Sequence, residues 1–326
     1  MKTFGVVGLG RMGGGLAFQA LGKGYTVVGM DTHAPNDELV KAGIVATTTP
    51  EDFLSKLPTP RVVFLYVPAG DAIDQLSATL APHLSPGDII VDGGNSYWGD
   101  SIRRNRAWEA KGIHFVDLGT SGGVTGARNG ACFMLGGVPA AKAVLTPILM
   151  DLCIAGGFVD AGGPGTGHFT KLVHNGIEFG MLQAIGEGME LMQNFHEPLP
   201  LVDVLSCWRN GSVIRSWLID LMHEGMVKGD PTLAAVPAYI EDTGEVNWLV
   251  GDAMEMEVPI PVIAQSVMQL FAARDKEKTS VKAIAMMRHG FGGHPYGESD
   301  FIKNERKTSK VGDIYRPESE DAPAKG

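Results

Sequence analysis

Four residues of this chain can do chemistry from one helical face: Lys171, His174, Asn175 and Glu178 stand at offsets of zero, three, four and seven. A helix advances about 100° per residue, so side chains at those offsets project together. The surrounding stretch, Phe169 to Phe195, is otherwise mostly apolar residues and glycine. Charge is expensive to bury unless it is paired or used. A base, an amide and an acid on one apolar face therefore read as an active site. Taken singly, Lys171 also reads as a lysine snorkelling to the surface, and His174 as a core histidine satisfying a backbone group.

A second constellation opens the chain. Thr3 to Val7 reads as a buried strand, followed by Gly8-Leu9-Gly10-Arg11-Met12-Gly13, a helical pattern to Gly24, and a strand from Tyr25 to Met30 that ends at Asp31. This is the dinucleotide fingerprint in its strand–turn–helix setting. The glycines permit a tight turn and close approach of a pyrophosphate, which sits on the helix N-terminus. Asp31, about 20 residues downstream, suits a ribose 2′-OH and repels a 2′-phosphate, so NAD is expected over NADP. Arg11 is a nearby cation that works against this. Fingerprint and helix face together point to a dehydrogenase.

The elements that must position these groups follow. Arg61 to Val67, Asp88 to Val91, Ile113 to Val116 and Cys132 to Leu135 read as strands, with helices near Asp71 to Leu80 and Ser101 to Lys111. Such alternation predicts a Rossmann-type, doubly wound α/β sheet. Loops after its strands face the cofactor. Val67-Pro68-Ala69-Gly70 and Asp92-Gly93-Gly94-Asn95-Ser96 are two of them, and Asn95 offers both a donor and an acceptor. A third, Thr120 to Ala127, offers Ser121 and the backbone of Gly122 and Gly123 as an anion nest. Near Ala161 the strand signals stop, and helices are expected over about 169–196, 200–228 and 261–288. The organisation expected is a dinucleotide-binding domain over 1–161, an all-α domain over 162–300 and a charged tail over 301–326. Gly176, Gly180, Gly186 and Gly188 cost the first of these helices propensity, which close packing of another element would offset.

Of 326 residues, 44% are hydrophobic and 20% charged, with a net charge of −10. That fits about two globular domains and argues against nucleic acid, whose phosphates need a basic face. No apolar run approaches a membrane span, so no membrane partner is expected. Cys132, Cys153 and Cys207 lack metal-type spacing and sit among apolar residues, which reads as buried thiols, no metal and a reducing cytoplasm. Met254, Met256, Met286 and Met287 read as core or interface packing, and Arg209 and Arg215 as ion-pair residues.

Several segments resemble the decarboxylating 6-phosphogluconate dehydrogenases of the β-hydroxyacid dehydrogenase superfamily. Asp92-Gly93-Gly94-Asn95-Ser96 is similar to their DGGNS signature, Ser121-Gly122-Gly123 to their SGG loop, and Lys171 through Glu178 to their KxVHNxIE helix. Trp208 through Ser216 resembles WRxGxxIRS, and Arg288 with Phe291-Gly292-Gly293-His294 resembles RxxFGxH. The resemblance implies oxidation of 6-phosphogluconate at C3, a phosphorylated sugar acid, then loss of CO2 to give ribulose 5-phosphate. It implies Lys171, Glu178 and Asn175 as catalytic, and Asn95, Ser121, Gly122, Gly123, His174, Arg288 and His294 as substrate-binding. It also implies Val67, Pro68 and Asn95 beside the cofactor, and a homodimer or homotetramer in which Arg288 and His294 come from a neighbouring subunit. The chain departs from the long members: Phe179 replaces a tyrosine, Pro68 replaces a lysine, and Glu241 to Trp248 carries none of their lysines. Asp31 stands where NADP users have an Asn-Arg pattern. The competing expectation is a β-hydroxyacid dehydrogenase for another sugar acid, without obligatory decarboxylation.

Overall fold

Strands buried on both faces read as unbroken apolar runs, and the centre of the sheet region is built on them. In the computed structural model, which describes residues 2–195 and 197–300, the order is β1 (Thr3–Val7), α1 (Arg11–Gly22), β2 (Thr26–Met30), α2 (Asp37–Lys41), β3 (Val45–Thr47), α3 (Pro50–Ser55), β4 (Val62–Leu65), α4 (Asp71–Leu80), β5 (Ile89–Asp92) and α5 (Trp98–Glu109). β6 (His114–Ser121), α6 (Gly123–Asn129), β7 (Ala131–Gly136), α7 (Pro139–Leu152) and β8 (Cys153–Gly162) complete the sheet region. The helices α8 (Thr166–Gln193), α9 (Leu201–Gly211), α10 (Trp217–Lys228), α11 (Glu245–Glu255), α12 (Pro261–Arg274) and α13 (Thr279–Gly292) follow.

The eight strands form one sheet in the order β3-β2-β1-β4-β5-β6-β7-β8. All neighbours are parallel except β6 and β7. The order reverses direction between β1 and β4, which opens a crevice at their carboxyl ends. Alternation along each strand sends side chains to opposite faces. Phe4, Val6, Val62, Phe64, Ile89 and Val91 pack with Leu16, Ala17 and Ala20 of α1 and with Leu145, Ile148, Leu149 and Leu152 of α7. Val7, Val63, Leu65 and Ile90 pack on the other side with Phe53 and Leu54 of α3, Ile73 and Leu80 of α4 and Trp108 of α5. A fully buried Phe or Leu contributes about 1.5–3 kcal/mol, so this doubly covered sheet is a stiff base for the loops at its edge.

The chain divides into two compact units. The first takes the described residues through Glu178 together with Thr243–Ile260; the second takes Phe179–Asp242 and the described residues from Pro261 on. β8 ends at Gly162, where the strand signals stop in the sequence. Within the second unit, Met189, Leu205, Ile219 and Met226 form a small core with Trp208 and Met222 packed against it. The expected tail, 301–326, lies outside the described residues.

Several local expectations are corrected. The stretch 200–228 is two helices, because Gly211 ends α9 and the Ser216 side chain caps α10 by accepting the Ile219 N–H at 3.3 Å. The stretch 261–288 is also two. Asp275 accepts the N–H groups of Glu277 and Lys278 at 3.1 and 3.0 Å, and Lys278 turns left-handed at φ 51°. Most of the loop expected over Thr120 to Ala127 is strand and helix, with the turn confined to Gly122 at φ 108°. Cys207 is exposed and Cys132 and Cys153 are half-buried, since Leu205 takes the buried position of α9. Met254, Met256, Met286 and Met287 are exposed and join no core among the described residues, which leaves interface packing as their expected role. Gly180 does meet a neighbour, since a Cβ there stands 3.4 Å from Val262 of α12, whereas Gly186 and Gly188 meet nothing within 4 Å. Among the described residues no helix is long and apolar enough to cross a membrane.

Candidate active site

The cofactor end is built mainly from backbone. Gly8 leaves β1 at φ 89°, and a Cβ on it falls 2.2 Å from the Tyr66 carbonyl oxygen. A Cβ on Gly13 falls 2.0 Å from the Gly8 carbonyl oxygen. These two glycines are demanded by the protein's own packing. Gly10, the cap of α1, meets nothing within 4 Å, so its bareness leaves room for a ligand above the unpaired N–H groups of the first turn. Asp31 follows β2; its Oδ2 accepts the Leu9 N–H at 2.5 Å and its Oδ1 accepts the His33 N–H at 2.9 Å. Burial works against its charge, but the N–H groups of His33 and Leu9 prevail and hold the carboxyl below its ordinary pKa. Arg11 and Pro68 are exposed, Met12 and Val67 partly so, and Leu9 is buried.

The second cluster adjoins this end. β5 delivers Asp92, fully buried, whose Oδ1 accepts the Gly94 N–H at 3.1 Å and whose Oδ2 accepts the Ser96 hydroxyl at 2.7 Å. That folds Gly93 to Ser96 into a turn, and a Cβ on Gly94 would lie 3.1 Å from the Val67 carbonyl oxygen. The loop bearing Asn95 thus packs on the loop beside the fingerprint.

The start of α8 is anchored as firmly. Buried Asp117 of β6 accepts the N–H groups of Gly165 at 2.7 Å and His168 at 2.9 Å. Negative charge at a helix N-terminus is favourable. The buried His168 ring lies 2.7 Å from the Ser101 hydroxyl and 3.1 Å from the Asp92 carbonyl oxygen. Gly119 lets the lysine stem pass, since a Cβ there would sit 2.6 Å from Cβ of Lys171.

Lys171, His174, Asn175 and Glu178 then meet as their spacing predicts. Lys171 Nζ is 3.4 Å from His174 Nδ1, the same nitrogen is 3.2 Å from Asn175 Oδ1, and Glu178 Oε2 is 3.8 Å from it. The fold adds Ser121, whose Oγ is 3.0 Å from His174 Nε2, and Asn95, whose Oδ1 accepts from Asn175 Nδ2 at 3.5 Å. Burial lowers the Lys171 pKa against the opposing pull of Glu178 and Glu245. Burial also lowers that of His174, helped by Lys171. The cluster therefore holds an amine that gives up its proton more readily than a free lysine, beside an imidazole whose charged form is disfavoured, amide donors and a carboxyl group: a set able to take a proton from a hydroxyl and return one elsewhere.

Glu245 was not expected. Its Oε1 accepts Asn95 Nδ2 at 2.9 Å and Asn175 Nδ2 at 3.4 Å, while its Oε2 accepts the Thr243 hydroxyl. The only sequence signal was an acid opening a helix, which is common. In the second unit, Arg288 is an exposed residue of α13, and the His294 ring meets Phe291 edge-on at 6.0 Å. Arg209 pairs with Asp220 at 2.8 Å and Arg215 donates to the Ser212 carbonyl at 3.1 Å.

Comparison with known proteins agrees with this geometry. Residues 3–156 match the NAD-binding domain of 6-phosphogluconate dehydrogenase, and residues 167–313 match the C-terminal domain of 6-phosphogluconate dehydrogenase. The NAD(+)-dependent, decarboxylating 6-phosphogluconate dehydrogenase of Haloferax volcanii is 39% identical over 91% of this chain and 99% of its own length. YqeC of Bacillus subtilis is 40% identical over 89% of this chain and 97% of its own. The structure of Plasmodium falciparum 6-phosphogluconate dehydrogenase superposes with a TM-score of 0.76 at 26% identity, over 94% of this chain and 68% of that one. With both of its domains matched and relatives aligned along nearly their full length, the chain belongs to the 6-phosphogluconate dehydrogenase family.

Proposed function

We propose that this protein oxidises 6-phosphogluconate at C3 with NAD and releases C1 as CO2, leaving ribulose 5-phosphate. The observation that carries the reading is the meeting of Lys171, His174, Asn175 and Glu178 with Asn95 and Ser121, on a loop packed against the cofactor turn. The bare Gly10 and the open first turn of α1 fit a dinucleotide, with Gly8 through Gly13, Val67, Pro68 and Asn95 around it. Bound NAD supplies the acceptor for the hydride that leaves C3.

Neutral Lys171 takes the C3 hydroxyl proton. Asn95, Asn175, His174 and Ser121, with the Gly122-Gly123 backbone, hold the remaining hydroxyls and the carboxylate. Once C3 is a ketone, protonated Lys171 donates to its oxygen. The C1–C2 bond then breaks, its electrons move toward that oxygen, and C1 departs as CO2. Glu178 gives a proton to the carbon that becomes C1 of the product, while the proton on the oxygen returns to Lys171 and leaves the ketone. Arg288 and His294 reach the phosphate from a neighbouring subunit. This last role is supported by α13, which buries none of its residues within the chain and exposes Val281, Ile284, Met287 and Phe291. An apolar face of that kind favours a homodimer or homotetramer, which sedimentation analysis tests.

The preference for NAD over NADP rests on Asp31, whose carboxylate repels a 2′-phosphate. Relatives go both ways: a Bacillus subtilis protein 33% identical over 88% of this chain is named NADP(+)-dependent. The three free thiols support a reducing, cytoplasmic setting.

The test is initial rates on 6-phosphogluconate and on gluconate, each with NAD and with NADP, while CO2 is trapped. Equal NADH and CO2 from 6-phosphogluconate alone is the expected result. A second reading, another β-hydroxyacid without obligatory decarboxylation, is favoured by Phe179 and by the lysine-free segment Glu241 to Trp248. Turnover of gluconate without its phosphate, or NADH without CO2, would establish it.

A further inference from the structure

Among the described residues, Glu245 is the one acid that reaches the cluster from outside both α8 and the sheet. It opens α11, and that helix is pinned: Asp252 accepts the Tyr97 hydroxyl at 3.0 Å and Trp98 Nε1 at 2.7 Å. Tyr97 and Trp98 directly follow the turn that carries Asn95. The carboxylate is therefore held at a set distance from Asn95 rather than drifting on a loop.

A carboxylate can only accept hydrogen bonds, whereas a side-chain amide can turn either end outward. An acceptor facing both Asn95 and Asn175 selects one orientation of each. Their NH2 ends turn to Glu245, leaving Asn95 Oδ1 toward Asn175 and Asn175 Oδ1 toward the His174 ring. The groups facing Lys171 are His174 and Glu178 on its own helix, Cys132 on β7 and Glu245 on α11. Glu245 is thus one of two carboxyl groups beside the amine, and it comes from the element that also orients the amides.

We propose that Glu245 is a positioning residue for the reaction proposed above: it fixes the orientation of the Asn95 and Asn175 amides and supplies negative charge beside Lys171. It acts through those three groups and needs no contact with the reacting carbon. The idea rests on the 6-phosphogluconate reading, so its test must survive failure of that reading.

The experiment compares the full chain with Glu245→Gln, Glu245→Ala and Glu245→Asp. In Glu245→Gln, kcat falls about tenfold or more, as expected when reacting groups lose their alignment. The thermal midpoint does not change, and the KM for NAD moves far less than kcat. The acid limb of the pH profile moves to lower pH, because an amine without its anionic neighbour deprotonates more easily. Glu245→Ala falls further, and Glu245→Asp recovers part of the loss. The proposal is overturned if Glu245→Gln matches the parent in kcat and pH limb. It is equally overturned if NAD affinity and thermal midpoint collapse together with kcat, which would make the carboxylate part of the scaffold. Should the parent enzyme not turn over 6-phosphogluconate, the function reading fails and Lys171 itself is read out. Its pH-dependent acylation by an amine-directed reagent, followed by mass spectrometry, begins at lower pH in Glu245→Gln if Glu245 acts as proposed, and at the same pH if it does not.

Discussion

The two halves of the site are made in opposite ways. The turn at Gly8 to Gly13 is contiguous and works through bare backbone, with Gly8 and Gly13 filled in by the protein and Gly10 left open. The Lys171 cluster works through side chains, drawn from the turn after β5, the end of β6, one face of α8 and the start of α11. A backbone site fails when an atom is added, because there is nowhere to put it. A side-chain site fails when an atom is removed or misaimed, because each group relies on its neighbours.

Predictions follow that contrast from the largest effect down. Lys171→Ala removes the base and should cost about a thousandfold in kcat, with NAD binding unchanged by fluorescence titration. Retained turnover would move the base elsewhere in the cluster. Gly8→Ala forces a side chain into a left-handed conformation and against the Tyr66 carbonyl. A loss of about 2 kcal/mol or more is expected, read as a lower thermal midpoint together with weaker NAD binding. Asp31→Ala should cut the ratio of NAD to NADP efficiency by about tenfold or more, the worth of a charge-assisted hydrogen bond; an unaltered ratio would mean the selection lies elsewhere.

Gly10→Ala should leave the thermal midpoint where it is, since open space surrounds the new methyl group. The KM for NAD should rise about tenfold, because closeness of approach is what that glycine provides. A drop in stability would put Gly10 with Gly8 and Gly13 and erase the distinction between folding and binding glycines. The gentlest test is pH. Lys171 must be neutral to act, and burial lowers its pKa. Activity should therefore rise with pH through a midpoint below the ordinary lysine value of about 10.4. A midpoint at or above that value would mean that Glu178 and Glu245 outweigh burial.

Legibility followed the same division. The strands β1, β4 and β5 were readable because burial on both faces leaves an unbroken apolar signature. α4 was readable from Asp71 to Leu80 because Gly70 precedes it and Pro82 follows it closely. The breaks after Gly211 and at Asp275 were missed, since each depends on a local side-chain cap that hydrophobic periodicity does not register. β8 was missed because it lies at the sheet edge and much of it is exposed.

Within the site, spacing alone put Lys171, His174, Asn175 and Glu178 on one face, because a helix converts sequence offset directly into direction. The fingerprint was legible for a similar reason: strand, turn and helix are neighbours in the chain. Glu245 shows where this ends. It lies 70 positions from Asn175 and 150 from Asn95 in sequence, and nothing in its own neighbourhood signals that they meet. The residue types and their local facing were determined by the sequence as written. Which distant groups face one another, and therefore which way the amides turn and what charge Lys171 feels, was decided only when the sheet order and the packing of α11 on the start of α5 closed the distances. Amide orientation and electrostatics depend on ångström separations, and chain position does not encode them.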